Sequence, residues 1–110
     1  MTGRKYDVKL VESAQDDLYE IHRYAEQQRS AGEADRLLDE IEQVLGKLKN
    51  LPQRGHCPPE LERIGITEYR EVHCKPYRIV YAIHETDVVV HCVLDGRRDM
   101  QTLLQNRLLR

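Results

Sequence analysis

Apolar residues alternate over a short N-terminal stretch and then recur at helical spacing through most of the first half of the chain. In residues 5–11, KYDVKLV, the alternation predicts a half-buried strand near the edge of a sheet. Residues 14–29 and 33–50 each carry one apolar stripe, which predicts two amphipathic helices. Ser13 stands at a helix-start position for the first of them. The short break at 30–32 predicts that the helices are antiparallel neighbours, an αα-hairpin.

The second half of the chain changes from irregular sequence to strand patterns. Residues 50–65 are rich in Pro and Gly and have no clear period, so they predict a loop. Three strand patterns follow, TEYREVHC, YRIVYAIHE and DVVVHCVLD, at residues 67–74, 77–85 and 87–95. The last is apolar on both faces, which favours a central position in the sheet. Helical spacing returns at 100–108, with Asp99 as its N-cap.

The element order β-α-α-β-β-β-α predicts an α+β domain with a small antiparallel sheet. The first strand is expected to pair beside the central strand, and the helices are expected to cover one face. The chain has 110 residues, which corresponds to a single domain over residues 1–110.

Composition narrows the class of protein. A third of the residues are charged, the net charge is −2, and Tyr is the only aromatic residue type. Such a charge argues against a protein whose main task is to coat nucleic acid. No apolar run approaches the roughly 18 residues of a membrane span, and residues 1–10 lack the apolar stretch of a signal peptide. With three cysteines in no framework spacing, we expect a cytoplasmic protein with free thiols and no membrane partner.

Three segments together resemble one family. They are YRE at 69–71, PYRIVY at 76–81 and VLDGRRD at 93–99, in this order behind a helical hairpin. In these segments the chain resembles the RelE/ParE superfamily of toxins from bacterial type II toxin–antitoxin systems, and most of all its ParE-like, plasmid-stabilisation branch.

The resemblance implies partners and two alternative activities. A cognate antitoxin neutralises such toxins by folding its C-terminal segment over them, and a toxin–antitoxin heterotetramer is one assembly this allows. ParE-like members inhibit DNA gyrase by binding to its cleaved-DNA complex. RelE-like members are mRNA interferases that cut messenger RNA on the ribosome. An inactive member that only binds its antitoxin is the remaining alternative.

RNA cleavage by the RelE-like alternative requires three kinds of group. A base takes the proton from the ribose 2′-OH, cations stabilise the charge that develops on the phosphorane, and an acid protonates the leaving 5′-oxygen. The resemblance places Arg78 and Arg98 on family arginines and Arg70 near a family lysine. The second lysine falls near Val72, and the catalytic tyrosine position holds Leu104. Proton-transfer groups are therefore missing, apart from His73, whose ordinary pKa is near 6.5. We expect a non-catalytic, ParE-like toxin; a metal-independent ribonuclease would use Arg70, His73, Arg78 and Arg98.

Three arginines are the predicted target-binding residues: Arg97, Arg98 and Arg78. The alternative for Arg97 and Arg98 is a solvated strand-to-helix turn in which Gly96 supplies unusual backbone angles. The alternative for Arg78 is a structural salt bridge, with Glu71 on the neighbouring strand as the partner.

The apolar stripe of the C-terminal helix is the predicted antitoxin-binding surface, and it consists of Met100, Leu103, Leu104 and Leu108. The alternative is that this stripe packs on the sheet of its own chain. A helix of about ten residues is marginal alone, so some partner surface is required.

Adjacent His-Cys pairs occur at 56–57, 73–74 and 91–92, and both residue types are zinc ligands. Neighbouring residues on a strand point to opposite faces, however, and the two strands involved are expected to be separated by the middle strand. We therefore expect no metal and no cofactor.

Overall fold

The computed structural model describes residues 5–109. The ends at 1–4 and 110, which the single-domain prediction included, lie outside the described residues. The elements are β1 Asp7–Leu10, α1 Glu12–Gln28, α2 Ala31–Lys47, α3 Pro59–Glu62, β2 Arg70–Cys74, β3 Tyr77–His84, β4 Asp87–Asp95 and α4 Met100–Leu108.

The four strands form one sheet in the order β1-β4-β3-β2. β4 is central and β1 pairs beside it, as the apolar pattern predicted. The α+β class and the order of the predicted elements are confirmed, but the predicted small antiparallel sheet is a mixed one, because β1 runs parallel to β4 while β2, β3 and β4 are antiparallel neighbours. A parallel pair needs a long connection, and the helical hairpin with the following strands provides it.

The α1–α2 hairpin covers one face of the sheet. Its buried side chains Ala14, Ile41 and Leu45 pack against strand residues that include Ile79 and Val90. Ser30 caps α2, since its hydroxyl accepts a hydrogen bond from the backbone of Glu33 at 3.1 Å. The helix-start prediction at Ser13 is wrong. α1 begins at Glu12 behind Val11, which provides no side-chain cap.

A second core lies on the opposite face, so the prediction that helices cover one face is wrong. Its buried members are Leu61 of α3, Val80, Cys92 and Leu94 of the sheet, and Met100 and Leu104 of α4. The cause is visible in the central strand, which is apolar on both faces and needs cover on both. Burial raises the pKa of the Cys92 thiol to about 12, which keeps it protonated and unreactive.

The predicted loop at 50–65 contains the short helix α3, which periodicity could not reveal in four residues. Pro59 occupies its first position, where the missing N–H costs no hydrogen bond. Among the described residues, no helix combines the length and apolar character needed to cross a membrane.

Candidate functional site

A largely buried arginine lies near the start of β3, on the second face of the sheet. Arg78 stands on β3 directly opposite His73 of β2. Its Nε donates to Glu71 Oε1 at 2.6 Å, and its Nη2 donates to Glu71 Oε2 at 3.0 Å. Its two terminal nitrogens also donate to the carboxylate of Glu60 on α3, at 2.9 and 2.6 Å. Two bidentate pairs therefore occupy this single guanidinium.

These ion pairs are largely shielded from solvent. The side chain of Arg78 is 14% exposed, that of Glu60 is 17% exposed and that of Glu71 is 1% exposed. The hydrogen bond from Arg78 is the main cause that lowers the pKa of Glu60. The hydrogen bond to Glu60 is likewise the main cause that raises the pKa of Arg78. The predicted Arg78–Glu71 salt bridge is confirmed, while Glu60 was missed because its loop has no readable period.

The predicted cationic corner lies beyond the end of β4. Arg97 and Arg98 are both exposed. Two bonds from Arg97 to the Asp95 carboxylate, at 2.9 and 2.7 Å, hold its guanidinium in place. The same bonds are the main cause that lowers the pKa of Asp95 to about 2. Within residues 5–109, the side chain of Arg98 makes no hydrogen bond and no ion pair.

Gly96 joins the corner to the buried arginine. Gly65 is the one glycine with a positive φ among the described residues, so the unusual backbone angles predicted for Gly96 are absent. A Cβ at Gly96 would instead lie 2.8 Å from Cδ of Arg78 and 3.2 Å from the carbonyl of Pro76. Glycine is required there because the stem of Arg78 passes directly over the backbone.

Arg70, the third predicted ribonuclease arginine, holds a loop in place. Its Nη1 donates to the carbonyls of Gly55 at 2.7 Å and Gln53 at 3.2 Å. The buried hydroxyl of Tyr81 supports the same loop, since it donates to Pro52 at 2.6 Å and accepts from the backbone of Gly55 at 3.2 Å.

Two histidines meet beside Glu71. His73 shares a strand face with Glu71, as alternation predicted, and its Nε2 lies 3.6 Å from Glu71 Oε2. Nε2 of His56 lies 3.1 Å from the same oxygen, and the two imidazoles meet edge to face. Sequence reasoning missed His56 in this cluster. The only sequence signal for His56 was the His-Cys dipeptide at 56–57, inside a predicted loop. The position of His56 beside Glu71 depends on a backbone bridge between these two residues.

The C-terminal helix packs on its own chain. Met100 and Leu104 are 4% and 0% exposed, whereas Leu103 and Leu108 are only partly buried. Asp99 caps the helix, as predicted, by accepting from the backbone of Thr102. The antitoxin role of these four apolar residues stays a prediction, and only Leu103 and Leu108 offer surface without moving the helix.

A groove of about 440 Å³ runs from the corner to the helical hairpin. Four cations line it, against the single carboxylate of Glu40. These cations are Arg29, Arg36, Lys75 and Arg97. The groove and corner can therefore bind phosphate or carboxylate groups of a partner. At the position predicted for a catalytic tyrosine, α4 carries Leu104, whose side chain cannot donate a proton.

Comparison with known proteins identifies the family and the fold. The family model of the ParE toxin of the type II toxin–antitoxin system, parDE, matches residues 8–100. No curated protein matches the chain. Two solved structures have similar folds. One is the chromosomal ParDE toxin–antitoxin system from P. aeruginosa, at TM-score 0.69 and 13% identity, covering 83% of this chain and 96% of that chain. The other is the RelBE2 toxin–antitoxin complex from Mycobacterium tuberculosis, at TM-score 0.61 and 22% identity, covering 83% of this chain and 91% of that chain.

The family match extends from β1 to the first residue of α4 and thus includes the sheet, the hairpin, Arg78 and the cationic corner. The element order of the chain agrees with it throughout. The chain belongs to the ParE family of toxins of type II toxin–antitoxin systems.

Proposed function

We propose that the protein is a toxin that inhibits DNA gyrase by binding, without covalent chemistry of its own, and that a cognate antitoxin neutralises it. The state of Arg78 carries the proposal. Its guanidinium already binds two carboxylates and its side chain is 14% exposed. A cation in that state cannot also stabilise the charge that develops on a phosphorane.

Arg97, Arg98 and the adjoining groove form the proposed target surface. These side chains lie at the protein surface, and the groove cations outnumber its carboxylate. Guanidinium groups recognise phosphate and carboxylate oxygens through paired hydrogen bonds, which suits a partner that holds cleaved DNA. Arg78 then contributes indirectly, because its stem sets the position of the backbone at Gly96.

The antitoxin is proposed to bind the partly exposed side of α4 through Leu103 and Leu108, and to extend onto the helical hairpin. Tyr19 and Tyr24 of α1 are 65% and 64% exposed. Large aromatic side chains are frequent anchors in protein interfaces. Burial of these residues by a partner would provide apolar contact that the isolated toxin lacks.

One observation favours the mRNA interferase as a second candidate. His56 and His73 bring two imidazoles beside Glu71, and His73 lies opposite Arg78. Two histidines can serve as base and acid at neutral pH. The first candidate remains better supported, because Arg70 and Arg78 bind groups of their own chain and Leu104 is fully buried.

Expression of the chain without its antitoxin distinguishes the candidates. We expect accumulation of covalent gyrase–DNA complexes and induction of DNA damage, with intact transcripts. The Arg97→Ala/Arg98→Ala variant is expected to restore growth, and Lys9→Ala, at the opposite end of the sheet, serves as the control that removes one surface charge. Transcripts cut at ribosomal A sites, with cutting lost in His73→Gln, would establish the second candidate. Normal growth of cells that express the folded wild-type chain would indicate an inactive member.

A further inference from the structure

The geometry points to a binding site for a divalent transition-metal ion, Zn²⁺ above all, formed by His56, Glu71 and His73. The ligand atoms are Nε2 of each histidine and Oε2 of the glutamate, which all lie within 4.8 Å of one another. Imidazole nitrogens and a carboxylate oxygen are a ligand set that zinc accepts readily, with a fourth position left for water.

Two of the three separations between ligand atoms are close to those of tetrahedral coordination. Ligand atoms bound at about 2.0–2.1 Å around zinc lie roughly 3.3 Å apart. The two histidine nitrogens lie 3.1 and 3.6 Å from the shared oxygen of Glu71. The third separation, between the two histidine nitrogens, is within 4.8 Å, so the exposed imidazoles close on an ion by side-chain rotation.

The backbone holds the three ligands on one face. His73 follows Glu71 by two residues on β2, so their side chains point to the same side. His56 forms an isolated antiparallel bridge with Glu71, through backbone hydrogen bonds of 3.2 and 2.7 Å. Directly opposed residues of such a bridge also point to the same side.

The loop that carries His56 is fixed independently of any metal. Gly55 lies so close to β2 and β3 that an added Cβ would stand 2.7 Å from the hydroxyl of Tyr81. Arg70 and Tyr81 bind three successive parts of this loop. Little conformational entropy remains to be lost when the ligands close on an ion.

Charge and support around the ligands also favour a cation. Glu71 and Glu60 carry two negative charges against the single positive charge of Arg78. The three groups thus carry one net negative charge beside the ligands, before the more distant cations of the cavity, Lys47 and Arg54, are counted. Arg78 orients the Glu71 carboxylate, in the way that outer partners orient metal ligands.

The three ligands line a cavity of about 320 Å³ that opens to solvent, and Lys47 and Arg54 line it as well. An ion can therefore enter, and the two cations lower its affinity through repulsion. The role of the ion would be to fasten the loop to β2, next to Arg78. Metal binding of this kind is independent of the toxin's target.

Calorimetric titration of the chelator-treated, purified full chain with ZnCl₂ tests the site. We expect saturable binding of one ion per chain, and a rise in the unfolding temperature with zinc. His56→Gln and His73→Gln are each expected to weaken binding about tenfold or more. His84→Gln, which changes an exposed histidine outside the cluster, is the matched control and should bind as the wild type does.

Cobalt substitution provides a readout that does not depend on variants. Co²⁺ at the proposed site should give absorption of a nitrogen and oxygen ligand set without a thiolate charge-transfer band, and should broaden the NMR signals of His56 and His73. A thiolate band, equal affinity in the His56→Gln and His73→Gln chains, or the absence of saturable binding by the folded wild-type chain would overturn the proposal.

Discussion

The region around Arg78 and the corner formed by Arg97 and Arg98 meet where Gly96 contacts the stem of Arg78. The two regions differ in burial and in the number of ion pairs that their arginines make. Arg78 is buried, and two carboxylates bind its guanidinium. Arg97 and Arg98 are exposed, and in the part of the chain that the structure describes only Arg97 pairs with a carboxylate, that of Asp95 in its own turn. Residue type alone therefore does not identify a binding residue. An arginine with its hydrogen bonds already made stabilises the fold, while one that faces solvent remains available to a partner.

The largest expected difference between the regions is in stability. Arg78→Ala leaves the buried carboxylate of Glu71 and the partly buried one of Glu60 without their shared cation, so the loss should lie near the lower end of the range for a broken buried pair, about 3–5 kcal/mol. Urea denaturation should show that loss in the free energy of unfolding. The free energy of unfolding of Arg78→Lys should lie between those of the wild type and Arg78→Ala, because an ammonium group keeps the charge but not the planar fork of the guanidinium.

Lys9→Ala is the surface control, since Lys9 pairs with Asp87 while 61% exposed. Its loss should lie within about 1 kcal/mol. If Arg78→Ala were as mild as Lys9→Ala, the interior assignment of Arg78 would be wrong.

Gly96→Ala tests the contact that couples the two regions. The added methyl group would press on the stem of Arg78 at 2.8 Å, and overpacking of this kind costs about 1–3 kcal/mol. Gly46→Ala is the matched control, because nothing lies within 4 Å of its added Cβ and alanine favours helices. Thermal unfolding should show a lower midpoint for Gly96→Ala and an unchanged or higher one for Gly46→Ala. An unchanged midpoint for Gly96→Ala would mean that the two regions are not coupled.

The sequence predicted some of the contacts in the two regions and missed others. The Arg78–Glu71 pair follows from strand alternation and adjacency, and Asp99 follows from local capping chemistry. Glu60 and His56 were missed because both belong to the irregular segment at 50–65, whose position is set by tertiary contacts with Tyr81, Arg70 and Glu71. Cover on both sheet faces was missed although β4 is apolar on both, because the apolar stripe of α4 does not show which face it packs on and the four residues of α3 are too few to show a period.

Acid should weaken the interior region selectively. The pKa of Glu60 is lowered from its ordinary value of 4.5, chiefly by the hydrogen bond from Arg78. A carboxyl group with a lowered folded-state pKa stabilises the fold above its unfolded value, and this contribution is lost as pH falls through the folded value. The free energy of unfolding should therefore fall more below pH 4.5 in the wild type than in Glu60→Gln. Parallel pH curves for the two proteins would contradict the assignment.

The smallest expected stability effect belongs to the exposed corner. Arg97→Ala/Arg98→Ala should leave the free energy of unfolding close to that of the wild type, because exposed ion pairs contribute little to stability. Denaturation in urea measures this directly. A loss comparable to that of Arg78→Ala would place these arginines among the stabilising residues instead.

Inhibition of purified DNA gyrase tests the central claim most directly. A supercoiling assay with increasing toxin should show inhibition and cleaved plasmid for the wild type and for Lys9→Ala, at similar concentrations. The folded Arg97→Ala/Arg98→Ala variant should require at least about tenfold more protein for the same inhibition. Equal inhibition by the wild type and the double variant would contradict binding through this corner. So would a wild-type protein that leaves gyrase unaffected and cleaves codons on programmed ribosomes.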